Sequence, residues 1–206
     1  MGLISLFFKD PLAFFLLVIP LLYSIIIHEI AHGWVAEKMG DPTARLMGRL
    51  SLNPRSHLDP VGTMMLLLVG FGWARPVPVN FNRVSNYRKG LIYIAAAGPL
   101  ANIAAAFISL LLLKTGGFSP WSTMSNVINT FAYINIILAS FNFIPIPPLD
   151  GSKILMGLAS PRLRSQLASL EPYGMFIIIG ALFLGILDPL VLFFREIIIG
   201  TISLLL

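Results

Sequence analysis

The amino-acid sequence predicts an all-α polytopic membrane protein with about five transmembrane helices and one re-entrant segment ending in an edge strand. Two observations carry that expectation. Of the 206 residues, 57% are hydrophobic and 11% charged, and the mean hydropathy is +0.87, far from the balance of a soluble domain. In addition, residues 11–27, 91–113 and 115–149 contain no Asp, Glu, Lys or Arg. In helical form each is long enough, or nearly so, to cross ~30 Å of hydrocarbon. The chain therefore reads as a single membrane-embedded domain over 1–206, with no soluble domain left over.

The first span is expected over 11–39. Pro11 suits a first helical turn, Gly40 follows the end, and Pro20 is expected to kink the helix. No positive n-region or small-residue cleavage site marks a signal peptide, so the span is read as uncleaved. Residues 41–60 form a polar loop with Arg45, Arg49, Arg55 and two Asp-Pro turn signals. The apolar piece Val61–Trp73 is too short to cross as an ordinary helix and is basic on both flanks, so 61–82 is expected to dip in and return. Within it, "RPVPVNFN" at 75–82 alternates Val with Pro and polar residues, the pattern of an edge strand. Spans follow at 90–113 and 123–144. The stretch 172–206, interrupted by "LDPL" at 187–190, is read as two shorter helices over 173–187 and 190–206. Basic residues collect in 38–60, 75–89 and 153–164, which places those loops on the cytoplasmic side.

The net charge of +5 comes from 14 basic and 9 acidic residues. The basic ones sit in loops instead of a stripe with interleaved aromatics, which argues against nucleic-acid binding. Cysteine is absent, so disulfides, thiolate ligands and cysteine nucleophiles are excluded together.

The polar residues that interrupt the apolar sequence carry the chemistry. In "IIIHEIAHGW", His28 and His32 are four apart on a helix, about 40° apart around the axis and ~6 Å along it, so both imidazoles can reach one cation. Glu29 can take a proton from water without entering the coordination sphere, as in H-E-x-x-H metalloproteases. An ionisable triplet in hydrocarbon is costly and points to function. A catalytic zinc site usually has three protein ligands. Asp150, at the end of the charge-free run, is the leading third candidate, and the topology brings it to the histidine end near the cytoplasmic face. An alternative role for Asp150 is the N-cap of a short helix. His57 is read as a loop histidine bonded to Asp59 before it is read as a ligand. Asn102 is open between an interhelical hydrogen bond and a site role, while Gly98 and Pro99 loosen their helix for close packing. Pro145, Pro147 and Pro148 exclude regular helix and suit a polar active-site wall.

Three segments together, "HEIAH" at 28–32, "AGPLAN" at 97–102 and "N-x-x-P-x-P-P-L-D-G" from Asn142 to Gly151, resemble the site-2 protease family of intramembrane zinc metalloproteases. The resemblance covers most of the chain and is specific. It implies one zinc ion per chain held by His28, His32 and Asp150, with Glu29 as general base and acid. It also implies that Asn142 helps hold the substrate peptide or its oxyanion; Asn102 is kept as a second substrate-binding candidate. The partners implied are the lipid bilayer and a transmembrane segment of a membrane-protein substrate, in the cell membrane, with a homo-oligomer left open. The form is minimal, with no room for the PDZ or nucleotide-sensing domain of some relatives. A membrane zinc carrier without proteolytic activity is the alternative reading; it needs no Glu at the base position, and Glu29 would then have to be a proton-coupling residue.

Overall fold

The computed structural model describes residues 2–206. Among them ten α-helices are formed, and the one β-type pairing is an isolated antiparallel bridge between Leu58 and Ala74. A short helix, α1 (Leu3–Lys9), leads into α2 (Pro11–Lys38), whose N-terminus is capped by the Asp10 carboxylate accepting from the Ala13 N–H at 3.0 Å. The α2 helix continues through Pro20 and ends at Met39, where Gly40 takes the positive φ of 105° that turns the chain. Its buried residues include Pro20, Ser24, His28, His32 and Ala36, every fourth position, so the two histidines lie on the stripe that faces the bundle.

The polar loop contains α3 (Thr43–Leu46) and a 3-10 turn over Pro54–Ser56. The helix α4 (Pro60–Val69) follows, capped by Asp59 and ending at Gly70. Its ten residues reach only ~15 Å at 1.5 Å per residue. Both ends of the excursion meet again at the Leu58–Ala74 bridge, where the Arg75 N–H donates to the His57 carbonyl at 2.8 Å. The expected edge strand is not formed. Residues 75–80 run as an extended strap without a strand partner, because prolines at 76 and 78 remove two ladder donors and other N–H groups go to side chains.

Helix α5 (Tyr87–Thr115), capped by Asn86, is the central column and packs against α2, α6 and α7. Its buried stripe runs Ile94, Gly98, Asn102, Ala106, again every fourth residue, and the small members allow close approach to α2. Helix α6 (Thr123–Asn142) contributes Ile136 and Ala139 to a core with Ala106, Ile198 and Ile202. After the irregular, proline-rich 143–149 come α7 (Asp150–Leu158) and α8 (Pro161–Leu170). A 3-10 turn at Glu171–Tyr173 leads into α9 (Gly174–Phe183), and α10 (Leu187–Leu205) completes the chain.

Four helices are long and apolar enough to cross a membrane: Pro11–Lys38, Tyr87–Thr115, Thr123–Asn142 and the combined run Pro161–Phe183. The chain is thus a multi-pass membrane protein. The last part differs from expectation in two ways. The break falls at 184–186, where Gly185 adopts φ 66°, and Pro189 sits in the first turn of α10, where its missing N–H costs nothing. The apolar run also begins at Pro161, earlier than the expected 173, while α10 carries Asp188, Arg195 and Glu196 and is not among the four.

Candidate active site

The i, i+4 spacing on α2 brings the His28 and His32 rings edge to face, with centroids 4.6 Å apart. Asp150 comes from a segment 118 residues beyond His32, yet its Oδ2 lies 3.0 Å from His28 Nε2 and 3.2 Å from His32 Nε2. The three potential ligand atoms lie within 4.8 Å of one another, and all three residues are largely or fully withdrawn from solvent. Asp150 is the first residue of α7, and its carboxylate caps no N–H; the preceding Leu149 occupies the cap position. The carboxylate is directed to the histidines instead.

The hydrogen bonds behind the rings decide what faces the centre. His32 Nδ1 lies 2.6 Å from the Ile94 carbonyl, an obligate acceptor, so Nδ1 carries the proton. His28 Nδ1 lies 2.6 Å from Asn102 Oδ1. That oxygen is assigned by its other end: Asn102 Nδ2 is 3.1 Å from the Ser24 carbonyl and must be the donor. In the neutral imidazoles, the form that binds metal, both Nε2 atoms then direct lone pairs at the Asp150 carboxylate. Three acceptor groups converging in a buried space repel one another unless a cation lies among them, and tautomer-fixing partners of this kind are what metal-binding histidines have. Gly98 completes the cradle: a Cβ at this position would overlap Nε2 of both histidines. The residues present fit a metal ion.

Glu29 stays outside this cluster. Its Oε2 accepts the Val77 N–H at 2.7 Å, so the strap holds it at the edge of a cavity of about 440 Å³ that also exposes His28, His32 and Asp150. The strap is held at other points as well. Arg49 Nη2 donates to the Arg75 carbonyl at 2.7 Å, and Asp41 Oδ2 accepts the Asn80 N–H at 2.6 Å. Burial works against ionisation of Asp41, but hydrogen bonds from Thr43 and Asn80 and the charge of Arg83 hold its carboxyl below the usual range. Burial and the neighbouring Arg75 charge depress the pKa of Arg49, with Glu29 opposing them.

Asn142 lines the cavity beside Pro148 and Asp150, with its Nδ2 bonded to the Leu138 carbonyl at 2.9 Å. Asn102 lies elsewhere, fully buried beneath His28. His57 is buried outside the cluster; its Nε2 meets the Ser51 carbonyl at 2.7 Å, and Asp59 is engaged at the α4 cap, so the expected His57–Asp59 bond is absent. Sequence reasoning did not single out Val77, Ser24 or Asn135. The latter two support Asn102 from within the bundle, and the signal available was a polar side chain within an otherwise apolar span.

A histidine pair one turn apart, a distant carboxylate and an adjacent glutamate outside the cluster, set in a bundle of apolar helices, define a membrane-embedded metallopeptidase-type site. The family model for peptidase family M50 matches residues 16–121 and 117–187, and the chain belongs to that family. Among its relatives, YwhC of Bacillus subtilis is 42% identical over 183 residues, covering 85% of this chain and 83% of that protein. MJ0611 of Methanocaldococcus jannaschii is 32% identical over 70% of this chain and 71% of its own length. Rip2 of Mycolicibacterium smegmatis is 25% identical over 81% of this chain and 66% of its own length. All three carry names that describe them as candidate zinc metalloproteases. No solved structure matches significantly.

Proposed function

We propose that this M50 peptidase is a zinc endopeptidase that hydrolyses peptide bonds in or near transmembrane segments of membrane proteins, as in regulated intramembrane proteolysis. His28, His32 and Asp150 hold one zinc ion per chain. The observation that carries this reading is the convergence of three acceptor groups beside Gly98. Zinc at such a donor set acidifies water and polarises a carbonyl oxygen. The Glu29 carboxylate takes the proton of the attacking water and delivers it to the leaving amine as the C–N bond breaks. Asn142 keeps its oxygen and second N–H free of the Leu138 contact and faces the cavity, which suits it to hold the substrate backbone. An unwound substrate segment lies along the extended 75–80 strap, whose backbone no strand covers among the described residues.

We place the site toward the cytoplasmic side of the cell membrane, with Pro60–Val69 entering the bilayer and returning. The basic loops on the same side and the meeting of the two ends at Leu58 and Ala74 support this.

The test uses a membrane-embedded reporter substrate in detergent. Glu29→Gln is expected to keep its zinc and its thermal stability and to cleave about 10²- to 10⁴-fold more slowly, the usual worth of a general base. Wild-type rates in Glu29→Gln would remove Glu29 as the base. Intact zinc with no cleavage by either protein would favour a metal carrier.

A further inference from the structure

Behind His28 lies a chain of side-chain amides that extends through the bundle to α6. Asn102, Asn135 and Ser24 are all 0% exposed. Asn102 Nδ2 donates to the Ser24 carbonyl at 3.1 Å and to Asn135 Oδ1 at 2.6 Å. Asn135 Nδ2 in turn donates to the Phe131 carbonyl at 2.8 Å and to Ser24 Oγ at 2.7 Å.

Each orientation in this chain is forced by the one behind it. The Phe131 carbonyl can only accept, so the end of Asn135 that meets it is the nitrogen, and its oxygen must face Asn102. That oxygen and the Ser24 carbonyl give Asn102 two acceptors, matching the two hydrogens of its Nδ2. Asn102 then has only its oxygen to present to His28 Nδ1, which holds a proton there and, in the neutral imidazole, leaves Nε2 as the ligating nitrogen. With the Asn135 oxygen removed, one buried Asn102 N–H loses its partner. The cost of an unsatisfied buried amide then favours rotation of the Asn102 side chain away from His28.

We propose that Asn135 is a positioning residue for the metal site: it orients Asn102 and, through it, fixes His28 as a metal ligand. The inference rests on the metal-site reading above. Asn135 makes no hydrogen bond to His28, His32 or Asp150 and does not line the cavity, and it acts across two helices in an apolar bundle, where an amide with no task would be costly.

The experiment measures the zinc dissociation constant of the full-length chain in detergent, by competition with a chromogenic chelator. The proteins compared are wild type, Asn135→Leu, Asn102→Leu, the double variant and His28→Ala. Loss of an outer partner of a metal-binding histidine weakens affinity about 10- to 100-fold, and that is expected for Asn102→Leu and, at its lower end, for Asn135→Leu. The decisive expectation is non-additivity: adding Asn135→Leu to Asn102→Leu changes the Kd no further, because the route through Asn102 is already cut. Unchanged affinity in Asn135→Leu, or losses that multiply in the double variant, would overturn the proposal. Asn135→Thr, smaller and still polar, replaces Asn135→Leu in the same cycle if the latter does not fold. Wild-type affinity in His28→Ala would locate the failure in the metal-site reading itself, whereas lost affinity there beside an unaffected Asn135 variant would sink this inference alone.

Discussion

At the scale of single residues, the proposed metal site depends on what is missing at Gly98 as much as on His28, His32 and Asp150. His28, Glu29 and His32 are readable from sequence because their geometry is local: four residues on a helix fix two imidazoles on one face whatever the rest of the chain does. Asp150 was readable as the one carboxylate ending a long charge-free run. The need for a hydrogen atom at position 98 was not, since it arises from a helix 66 residues beyond His32 whose Cα faces both Nε2 atoms. Gly98→Ala is therefore expected to weaken zinc affinity about tenfold or more, as for other changes that displace ligating histidines. Gly180→Ala serves as the control. A Cβ there meets nothing within 4 Å, and a helical glycine-to-alanine change in open space stabilises by about 0.4–1 kcal/mol. Chelator competition on the two variants, with thermal unfolding beside it, separates loss of the cradle from loss of fold.

At the scale of elements, the strap over 75–80 shows how side chains replaced a sheet. Alternation in "RPVPVNFN" correctly signalled extended backbone, yet periodicity carries no information about partners. Here the hydrogen bonds go to Glu29, Arg49 and Asp41, which lie 26 to 48 residues away in sequence. Asp41 anchors the far end of the strap, and its pKa is lowered in the fold, so the sign of its pH dependence follows directly. Its contribution is fully present above the unfolded carboxyl value of about 3.9 and is lost as pH falls through the lower folded value. Asp41→Asn is expected to destabilise by about 1.5–3 kcal/mol at pH 7, the range for hydrogen bonds to a charged group. The gap between the two proteins is expected to narrow below about pH 4. Thermal unfolding of both in detergent across that range checks it, and a gap that widens in acid would remove the ionised Asp41 from the strap. The boundary near 185 shows the same limit of sequence reading: Pro189 attracted the expected break, but the break lies at 184–186, where Gly185 takes a positive φ, and the proline falls inside the first turn of the next helix.

At the scale of the whole molecule, hydropathy and charge made the three long helices built around charge-free runs legible, while the last quarter was legible only as helical. Charges distributed over α8 and α10 blur the edges of an apolar run, and packing decides where the helices stop. Single cysteines placed in this cysteine-free chain give the orientation directly. Positions in 41–60 and 75–90 are expected to label from the cytoplasmic side together, and 116–122 from the opposite side. Labelling of 41–60 and 75–90 from opposite faces would mean that the ten-residue α4 and its return cross the bilayer, against the meeting of their ends at Leu58 and Ala74.

The central claim is that two histidines of one helix turn and a carboxylate from a distant segment hold a single zinc ion. Elemental analysis of the purified chain, beside His28→Ala, His32→Ala and Asp150→Ala, tests it most directly. About one zinc per wild-type chain is expected, with occupancy strongly reduced in each variant, because losing one of three protein ligands removes much of the binding free energy. Undiminished zinc in folded Asp150→Ala, or no zinc in a wild-type chain that cleaves its substrate, would contradict the claim.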